Sequence, residues 1–540
     1  MVDTFTITVI LSFIGFLVVG IWVSRGINNK NDYFVAGRNV GVLFIVGTLV
    51  ASFLSTVALM GEAGMAYDGF PWPILLLGVM SKMGYLAGVV LFGRYLRDSD
   101  ALTIPEFFGK RFNSSRLRAL AGASVLVGMG LYLVTVTRGL AVVIEAILGI
   151  DGFWAVFITW VAFTIFTVLS GSKGVIITDT MMFFFFIIGG VLGSVAIFRE
   201  AGGVKETFNK LAADPTLREG LLWHGQVEGP GERLNSIGEA LIYIFTFGLV
   251  WAFVTAVSPW QASRYMMAKS SHTAIRAGIV TLLIIPSFYL FVMFAAYAVN
   301  LINPEIEPNS QVFIWAAYNI MPTAIGVILV TGIVAAGLSS ASTFLSLVGF
   351  SAAHDVGPMF RRGEGLDGGD TKTDNVRSAR WAMLIVGAIA LLLAYIATPS
   401  VLDIGYMAAS FFAASWGIVA FASTQSKRIS ETGAFWGMLL GGVITLILES
   451  IKTFGGVDWP MAFHPVLFGL AASLIAVIIG SMLRPVEKNS WQYISELKQR
   501  VESDVTVAEV KVTNRYIYVA IGFIAILFSA VGFFYVPIMS

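Results

Sequence analysis

The 540-residue sequence contains no cysteine and few charged residues. Without cysteine the chain can form no disulfide, no thiolate nucleophile and no cysteine-ligated zinc or iron–sulfur centre. Its four histidines, His224, His272, His354 and His464, stand far apart and show none of the short spacings typical of metal ligands. Charged residues make up 12% of the chain, whereas soluble domains contain about 25%. These absences disfavour a soluble domain, thiol chemistry and metal-dependent catalysis.

The charge that is present is balanced, and the remainder of the chain is strongly apolar. The 34 Lys and Arg residues nearly cancel 33 Asp and Glu residues, which gives a net charge of +1. A balanced chain has no reason to bind nucleic acid or another polyanion. Hydrophobic residues form 57% of the sequence, and 42 of them are Phe. We therefore expect an integral membrane protein that contacts the lipid bilayer, and nothing in the sequence requires an obligate protein partner.

Long apolar runs predict the number of membrane helices. A spanning helix needs about 20 mainly apolar residues, and the sequence offers fourteen such runs, which predicts an all-α polytopic membrane protein. The first run is not a cleaved signal, because MVDT carries no positive charge and no cleavage site follows. The predicted limits are 5-24, 41-66, 73-97, 117-149, 153-170, 175-199, 236-259, 274-300, 312-353, 378-397, 400-424, 430-452, 462-483 and 515-537.

The positions of Lys and Arg orient these helices, because cytoplasmic loops are enriched in both. If both termini are external, the alternate loops 25-40, 94-118, 171-174, 260-276, 354-380, 425-430 and 484-515 hold 26 of the 34 cationic residues. The opposite side holds 6, and the remaining 2, Lys82 and Arg138, lie inside spans. We expect a multi-pass protein of the plasma membrane, the inner membrane in a bacterium, with both termini external.

Two spans carry clusters of small hydroxyl residues. The second span contains Ser52, Ser55 and Thr56, and the ninth contains Ser339, Ser340, Ser342 and Thr343. Hydroxyl and freed carbonyl oxygens are the ligands that a dehydrated alkali cation needs. The alternative is that these small residues only allow close helix packing and bond back to their own helices.

A carboxylate inside the sixth span favours the first interpretation. Asp179 lies in TDT (178-180), where acidic residues face a cavity, pair with a cation or bind an ion. The sequence leaves open whether Asp179 binds a cation together with the 339-343 hydroxyls or forms a structural salt bridge.

Seven segments in consistent order resemble the sodium/solute symporter family. They are DYFVAGRNVG (32-41), VASFLS (50-55) with LMG (59-61), ALTIPEFFGKRF (101-112), TDT (178-180), SRYMMAKSSHTAIRAG (263-278), AAGLSSAS (335-342) and GAFWGMLLGG (433-442). The resemblance covers about 30-485 and implies a LeuT-like core of two inverted five-helix repeats, preceded by one helix and followed by three. The implied units are 1-40 (leading helix and cytoplasmic loop), 41-199 and 236-424 (repeats), 200-235 (external loop) and 425-540 (peripheral helices), with a cytoplasmic amphipathic segment at 486-510.

The resemblance also implies where sodium binds, as one ion or two. The family's common sodium site falls on the carbonyls of Ala51, Leu54 and Ala336 and the hydroxyls of Ser339 and Ser340. A second site found in some members falls on Asp179, Ser339, Ser342 and Thr343, all of which offer oxygen ligands. The proline-transporting members have an Asp where this chain has Phe53, so proline is disfavoured as the solute.

Lys82 and Arg138, two cationic residues inside spans, favour an anionic solute. Arg138 lies 13 residues before Asp151, which places it about 20 Å deep in a core about 30 Å thick. A charge there costs about 2.5–3.5 kcal/mol on insertion scales, and an Arg fork or a Lys ammonium can receive a carboxylate. The alternative for Arg138 is a gate pair with Glu145, Glu62 or Glu239. For Lys82 the favoured alternative is a structural role, because a lysine can also snorkel or replace an ion. Sialic-acid members place their Arg about six residues earlier, at the position of Tyr132 here.

Other candidates for lining the solute site are Phe53, Ser55 and Thr56 in the second span and Phe247 and Trp251 in the seventh. Together these features predict a sodium-coupled symporter that imports a small organic solute, a carboxylate in the first instance, by alternating access. A neutral or zwitterionic solute (an amino acid, vitamin or sugar), a proton carried by Asp179 and a membrane sensor are the alternatives. No nucleophile, base and orienting group can be assembled from the motifs, so we do not expect an enzyme.

Overall fold

The computed structural model describes residues 4–24, 35–227, 234–360, 372–396, 401–457, 459–503 and 506–539. Residues 228–233 of the predicted external loop 200-235 and residues 361–371 of the predicted cytoplasmic loop 354-380 lie outside these ranges. The elements within them are helices, and their β contact is one isolated bridge between Val40 and Ala268.

The helices follow one another with short connections. They are α1 Thr4–Ser24, α2 Val42–Phe53, α3 Ala63–Tyr67, α4 Pro71–Gly88, α5 Arg94–Asp98, α6 Ile104–Phe112, α7 Ser115–Leu148, α8 Gly152–Glu200, α9 Val204–Ala213, α10 Ile237–Val257, α11 Pro259–Met266, α12 Ser271–Ala298, α13 Val312–Asn319, α14 Thr323–Phe350, α15 Gly357–Phe360, α16 Lys372–Ile396, α17 Val401–Gln425, α18 Glu431–Gly455, α19 Pro465–Leu483, α20 Lys488–Ser503 and α21 Val507–Met539. Wider π-helical turns at Val57–Glu62, Val89–Gly93 and Ser351–Val356 connect α2 to α3, α4 to α5 and α14 to α15.

Many of these helices are long and apolar enough to cross a membrane. In the described part of the chain eleven helices meet that test, or twelve when α2 and α3, with the turn between them, count as one bent span. The all-helical membrane fold is therefore confirmed. The number fourteen and the division into two inverted repeats stay predictions.

Three predicted boundaries are wrong. Residues 171-174, predicted as a loop, are helical within α8, whose sequence contains no proline to end it. The predicted ninth span, 312-353, is two helices, because Pro322 caps α14 and separates it from α13. The predicted loop 260-276 begins with α11, which continues the span of α10 past a break at Ser258.

Small residues let the central helices approach each other closely. A Cβ added at Gly84 of α4 would lie 2.1 Å from the carbonyl oxygen of Ala252 in α10, and one added at Gly189 of α8 would lie 2.7 Å from the Cα of Leu329 in α14. Both glycines permit backbone contact that any larger residue would prevent. This packing holds α14 among α2, α7 and α8, so that its hydroxyl residues are buried in the protein and do not face lipid.

Candidate ion and solute sites

The α2 helix ends in a break that frees backbone oxygen atoms. Leu54 adopts φ −74° and ψ 60°, outside the helical region. As a result the Ser55 N–H donates to the Phe53 carbonyl at 2.8 Å, whereas in a continuous helix it would donate to Ala51. The chain resumes at Val57, bent by 52° from its earlier direction. The carbonyl of Ala51 therefore loses the N–H that a helix would provide.

The hydroxyl cluster of α14 meets this break. Ser340 is fully buried, and its Oγ donates to the Ser52 carbonyl at 3.1 Å. One turn earlier, a Cβ added at Gly337 would lie 3.0 Å from Cγ2 of Thr56. The structure thus brings the segments of the predicted common sodium site together, with Ala51 and Leu54 on α2 and its break and Ala336, Ser339 and Ser340 on α14.

Asp179 joins the same region from α8. Its Oδ2 accepts from Thr48 Oγ1 at 2.5 Å, and its Oδ1 accepts from Ser339 Oγ at 2.6 Å. The carboxylate is fully buried. Ser342, another predicted ligand, donates its Oγ to the Ser339 carbonyl in its own helix at 2.9 Å. The structure thus brings Asp179 into contact with Ser339 and with Thr48, whereas Ser342 bonds back to its own helix, and the second sodium site stays a prediction.

A cation of the protein also lies at this second site. Arg264 of α11 is 4% exposed, and its Nη2 lies 3.5 Å from Asp179 Oδ2 and 2.5 Å from Thr343 Oγ1. Sequence analysis missed Arg264 because it counted this residue among the cytoplasmic loop charges. The signal that could have found it is Pro259 after Ser258, which begins a new helix and carries Arg264 inward.

A central cavity lies between the α2 break and the break before α11. Its lining is Ser52, Phe53, Ser55, Val57, Ala58, Glu62, Tyr132, Trp251, Trp260, Tyr289 and Phe344. The aromatic rings form a wall, with Tyr132 and Trp260 centroids 4.5 Å apart and Phe53 and Trp251 centroids 5.6 Å apart. Three predicted solute residues, Phe53, Ser55 and Trp251, thus meet at one cavity, together with Tyr132.

Three polar groups in this wall lack partners. Tyr132 Oη and the indole Nε1 atoms of Trp251 and Trp260 are buried without a hydrogen bond to any residue that the structure describes. Each can donate a hydrogen bond, and an unpaired buried donor is costly. A ligand that presents acceptor oxygens to the cavity would satisfy them.

Two buried charges flank the cavity. The Nζ of Lys82 lies 3.7 Å from the Phe53 ring centroid and donates to Ser81 Oγ at 2.7 Å. The Glu62 carboxylate lines the cavity and accepts from Tyr289 Oη at 2.5 Å. Lys82 is 1% exposed and Glu62 is 4% exposed. The ammonium group therefore stands behind Phe53, and the carboxylate faces the cavity itself.

The remaining predicted solute residues lie elsewhere. Thr56 is buried against Gly139 of α7, and Phe247 packs between Tyr406 and His464 with ring centroids 4.5 and 4.8 Å away. Arg138 is half-buried on α7, and neither it nor Thr56, Phe247 or Lys82 belongs to the lining of the central cavity. The Arg that suggested an anionic solute is thus separate from the cavity, whereas the Lys contacts its wall.

Comparisons with known proteins agree with this architecture. The model of the family described as "Sodium:solute symporter family" matches residues 33–441. The osmoregulated proline transporter OpuE of Bacillus subtilis is 26% identical over 485 residues, which cover 87% of this chain and 93% of the relative. The sodium/pantothenate symporter of Escherichia coli is 24% identical over 490 residues, which cover 88% of this chain and 96% of the relative.

Solved structures show a similar fold. A Na⁺-coupled sialic acid symporter, in a substrate-bound outward-open state, superposes with a TM-score of 0.71 at 20% sequence identity, covering 90% of this chain and 100% of that chain. The transporter Mhp1, in a closed conformation, gives a TM-score of 0.55 at 11% identity and covers 87% of this chain and 99% of that one. At these identities the likeness shows the fold alone.

Proposed function

Because the chain belongs to the sodium:solute symporter family, we propose that it uses the sodium gradient to import a small organic solute that carries a carboxylate group. The family resemblance of the seven sequence motifs is confirmed, and the chain is a multi-pass membrane transporter and not an enzyme. The plasma-membrane location, the external termini and the repeats over 41-199 and 236-424 are parts of the proposal.

The proposed sodium site is the contact between the α2 break and the α14 hydroxyl cluster. The observation that supports it is the bond from Ser340 Oγ to the Ser52 carbonyl, 3.1 Å long, beside a backbone that has left the helical path. Ala51, Leu54 and Ala336 would supply carbonyl oxygens, and Ser339 and Ser340 would supply hydroxyl oxygens. Such hard, mostly neutral ligands suit a monovalent alkali cation.

A second sodium ion faces competition at its site. It would need oxygens of Asp179, Ser339, Ser342 and Thr343, yet the guanidinium of Arg264 lies between Asp179 and Thr343. Two cations so close would repel each other in a buried site. We therefore propose that one sodium ion binds at the common site, and that a second binds only in a conformation in which Arg264 has left Asp179.

The donor set of the central cavity favours a carboxylate. Tyr132, Trp251 and Trp260 offer three unpaired donors to the cavity, and the Lys82 ammonium adds positive charge behind Phe53. Donors around a carboxylate form charge-assisted bonds, which are shorter and stronger than neutral ones. Lys82 replaces Arg138 as the cation nearest to the solute in this proposal.

A zwitterionic solute is the second candidate, and Glu62 favours it. Glu62 lines the same cavity as the donor groups, and its carboxylate could receive an ammonium group of an amino acid. The relatives are named for proline and pantothenate, and both of these molecules carry a carboxylate. The carboxylate is thus the feature common to both candidates.

Alternating access follows from the two breaks. The central cavity has walls from α2, α10, α11 and α14, and a change of angle at the break at Leu54 or at Ser258 would open it to one side or the other. Discontinuous helices beside a mid-membrane site perform this role in inverted-repeat transporters.

Uptake into vesicles tests the sodium site. Purified protein in lipid vesicles with an imposed inward sodium gradient should accumulate a labelled carboxylate, and Ser340→Ala should raise the sodium concentration for half-maximal uptake about tenfold, because one charge-assisted contact is lost. Ser473→Ala serves as the control, because it removes another buried serine hydroxyl, which lies on α19 and has no partner among the described residues. Equal sodium dependence in both variants, or uptake independent of the gradient, would refute the proposal.

A ring-preserving change tests the solute site. Tyr132→Phe removes only the unpaired hydroxyl, so the aromatic wall should remain while the solute concentration for half-maximal uptake rises several-fold. The same variant should leave the sodium dependence at saturating solute unchanged. If Tyr132→Phe transports like the parent protein at all solute concentrations, the phenol does not face the solute.

A further inference from the structure

A second cavity lies apart from the central one, on the side of the predicted cytoplasmic loops. Its walls are the segment 102–105 at the start of α6, the α11 helix and the second half of α14. Most of its lining is Val, Leu, Ile, Met, Pro and Phe. We call it the α6 cavity.

Three of the polar side chains that line the α6 cavity carry an unpartnered polar atom among the described residues. Ser263 and Arg264 reach it from α11, and Ser346 reaches it from α14. Across the whole described structure, the Nε of Arg264 and the Oγ atoms of Ser263 and Ser346 have no hydrogen-bond partner and are shielded from solvent. Arg264 is 4% exposed and Ser346 is 6% exposed. A buried guanidinium with an unused donor is expensive unless a ligand completes it.

The charges around the cavity select the sign of that ligand. Among the lining residues that the structure describes, none is Asp or Glu, and Arg264 alone carries a full charge. Asp179 is the carboxylate that attracts Arg264, and its Oδ2 lies 3.5 Å from Arg264 Nη2. This contact leaves the Nε of Arg264 without a partner among the described residues. Three donor groups that line one largely apolar cavity, one of them the cationic Arg264, suit an anion.

We propose that the α6 cavity is a binding site for a small monovalent anion, chloride or a carboxylate, held by Arg264 Nε and by the hydroxyls of Ser263 and Ser346. The inference holds whichever solute occupies the central cavity. A carboxylate in this site would be the transported solute on its way to the cytoplasm, whereas chloride would come from the cytoplasm itself.

The proposed anion site shares the Arg264 guanidinium with Asp179, so the anion and the Asp179 carboxylate compete for it. The anion and Asp179 attract the same guanidinium from different atoms, so each weakens the hold of the other. Anion binding would loosen Arg264 from Asp179 and free carboxylate oxygens at the proposed second sodium site. Conversely, removal of the Asp179 charge should strengthen anion binding.

Titration of the full-length protein in lipid nanodiscs tests the proposal. Sodium and ionic strength are held constant while isethionate, a bulkier anion, is replaced by chloride in one arm and by acetate in the other. Tryptophan fluorescence is the readout, since Trp260 lies on the same helix one turn before Arg264. We expect a saturable signal with at least one of the two small anions, and the arm that responds identifies the source of the ligand.

Two substitutions with opposite expected effects make the test specific. Ser346→Ala should weaken anion binding about tenfold, as expected for one lost hydrogen bond to a charged ligand, and Asp179→Asn should strengthen it. Thr331→Val is the matched control, because Thr331 is a buried residue of the same helix with an equally unpartnered hydroxyl among the described residues, outside the cavity. No signal with either anion, or equal midpoints for Ser346→Ala and Thr331→Val, would overturn the proposal. Partial unfolding of the variants cannot explain this pair of results, because unfolding would not strengthen anion binding in Asp179→Asn.

Discussion

Neutralising Asp179 should destabilise the protein, and removing Arg264 as well should restore part of the loss. Asp179→Asn keeps the size of the side chain and the acceptor for Ser339, but it replaces the charged oxygen beside Arg264. The guanidinium then stays 4% exposed with no carboxylate to balance it. Arg264→Gln in the same chain removes that unbalanced charge.

The structure sets the size of the expected effect. Charges 3.5 Å apart attract by about 5 kcal/mol at an effective dielectric constant of about 20. Since breaking a buried pair from one side costs about 3–5 kcal/mol, each single variant should melt well below the parent protein. The double variant should melt above both single variants, because the desolvation of both charges disappears with them.

Thermal melting of the four proteins in nanodiscs, with sodium and without it, measures this cycle. Sodium should stabilise the parent protein progressively as its concentration rises above the dissociation constant. The double variant should keep the share of this stabilisation that comes from the common site. A double variant that melts as low as the sum of the single losses would refute the coupling. Melting of Asp179→Asn at the parent temperature would show that Arg264 does not depend on Asp179.

Two further changes test other charges. Lys82→Met keeps the length of the side chain and removes the ammonium behind Phe53, so solute affinity in the uptake assay should fall about tenfold or more, and unchanged affinity would make Lys82 purely structural. Burial by itself would raise the pKa of Glu106, but a hydrogen bond from His354 and the charges of His354 and Lys110 outweigh it and hold the pKa below its ordinary value. Glu106 therefore stabilises the fold above the unfolded pKa of about 4.3 and loses this contribution as the pH falls. Glu106→Gln should lower the melting temperature at pH 7. The difference in melting temperature from the parent protein should shrink once the pH falls below about 4.3, the unfolded pKa. A difference that stays constant with pH would contradict the assignment.

The family could be predicted from local sequence, and local sequence also marked the candidate ion ligands. The hydroxyl cluster 339–343 and the motif VASFLS (50-55) are short, and their residue types alone indicate oxygen ligands. Asp179 stood out because a carboxylate in an apolar run needs a partner. Sequence could not supply that partner, because Arg264 comes 85 positions later and looks like any other loop cation.

The candidate solute site was harder to predict. Counting residues gives the depth of a side chain in the membrane, but it does not give the side of the helix from which that side chain projects. Arg138 and Lys82 were both placed at mid-membrane by counting residues, yet only Lys82 contacts the wall of the central cavity. Trp260 and Tyr289 line that cavity and were not predicted as solute residues. Their side chains meet only when α11 and α12 pack against α2.

By itself, the sequence determined that this is a membrane transporter, because low charge, apolar runs and short motifs are properties of neighbouring residues. The tertiary structure alone decided which charges meet. It placed Arg264 on Asp179, Lys82 behind Phe53, and three unpaired donors around one cavity. The physical reason is that a buried charge or donor takes its chemistry from the atoms within a few ångströms, and in a bundle of long helices those atoms come from distant parts of the chain.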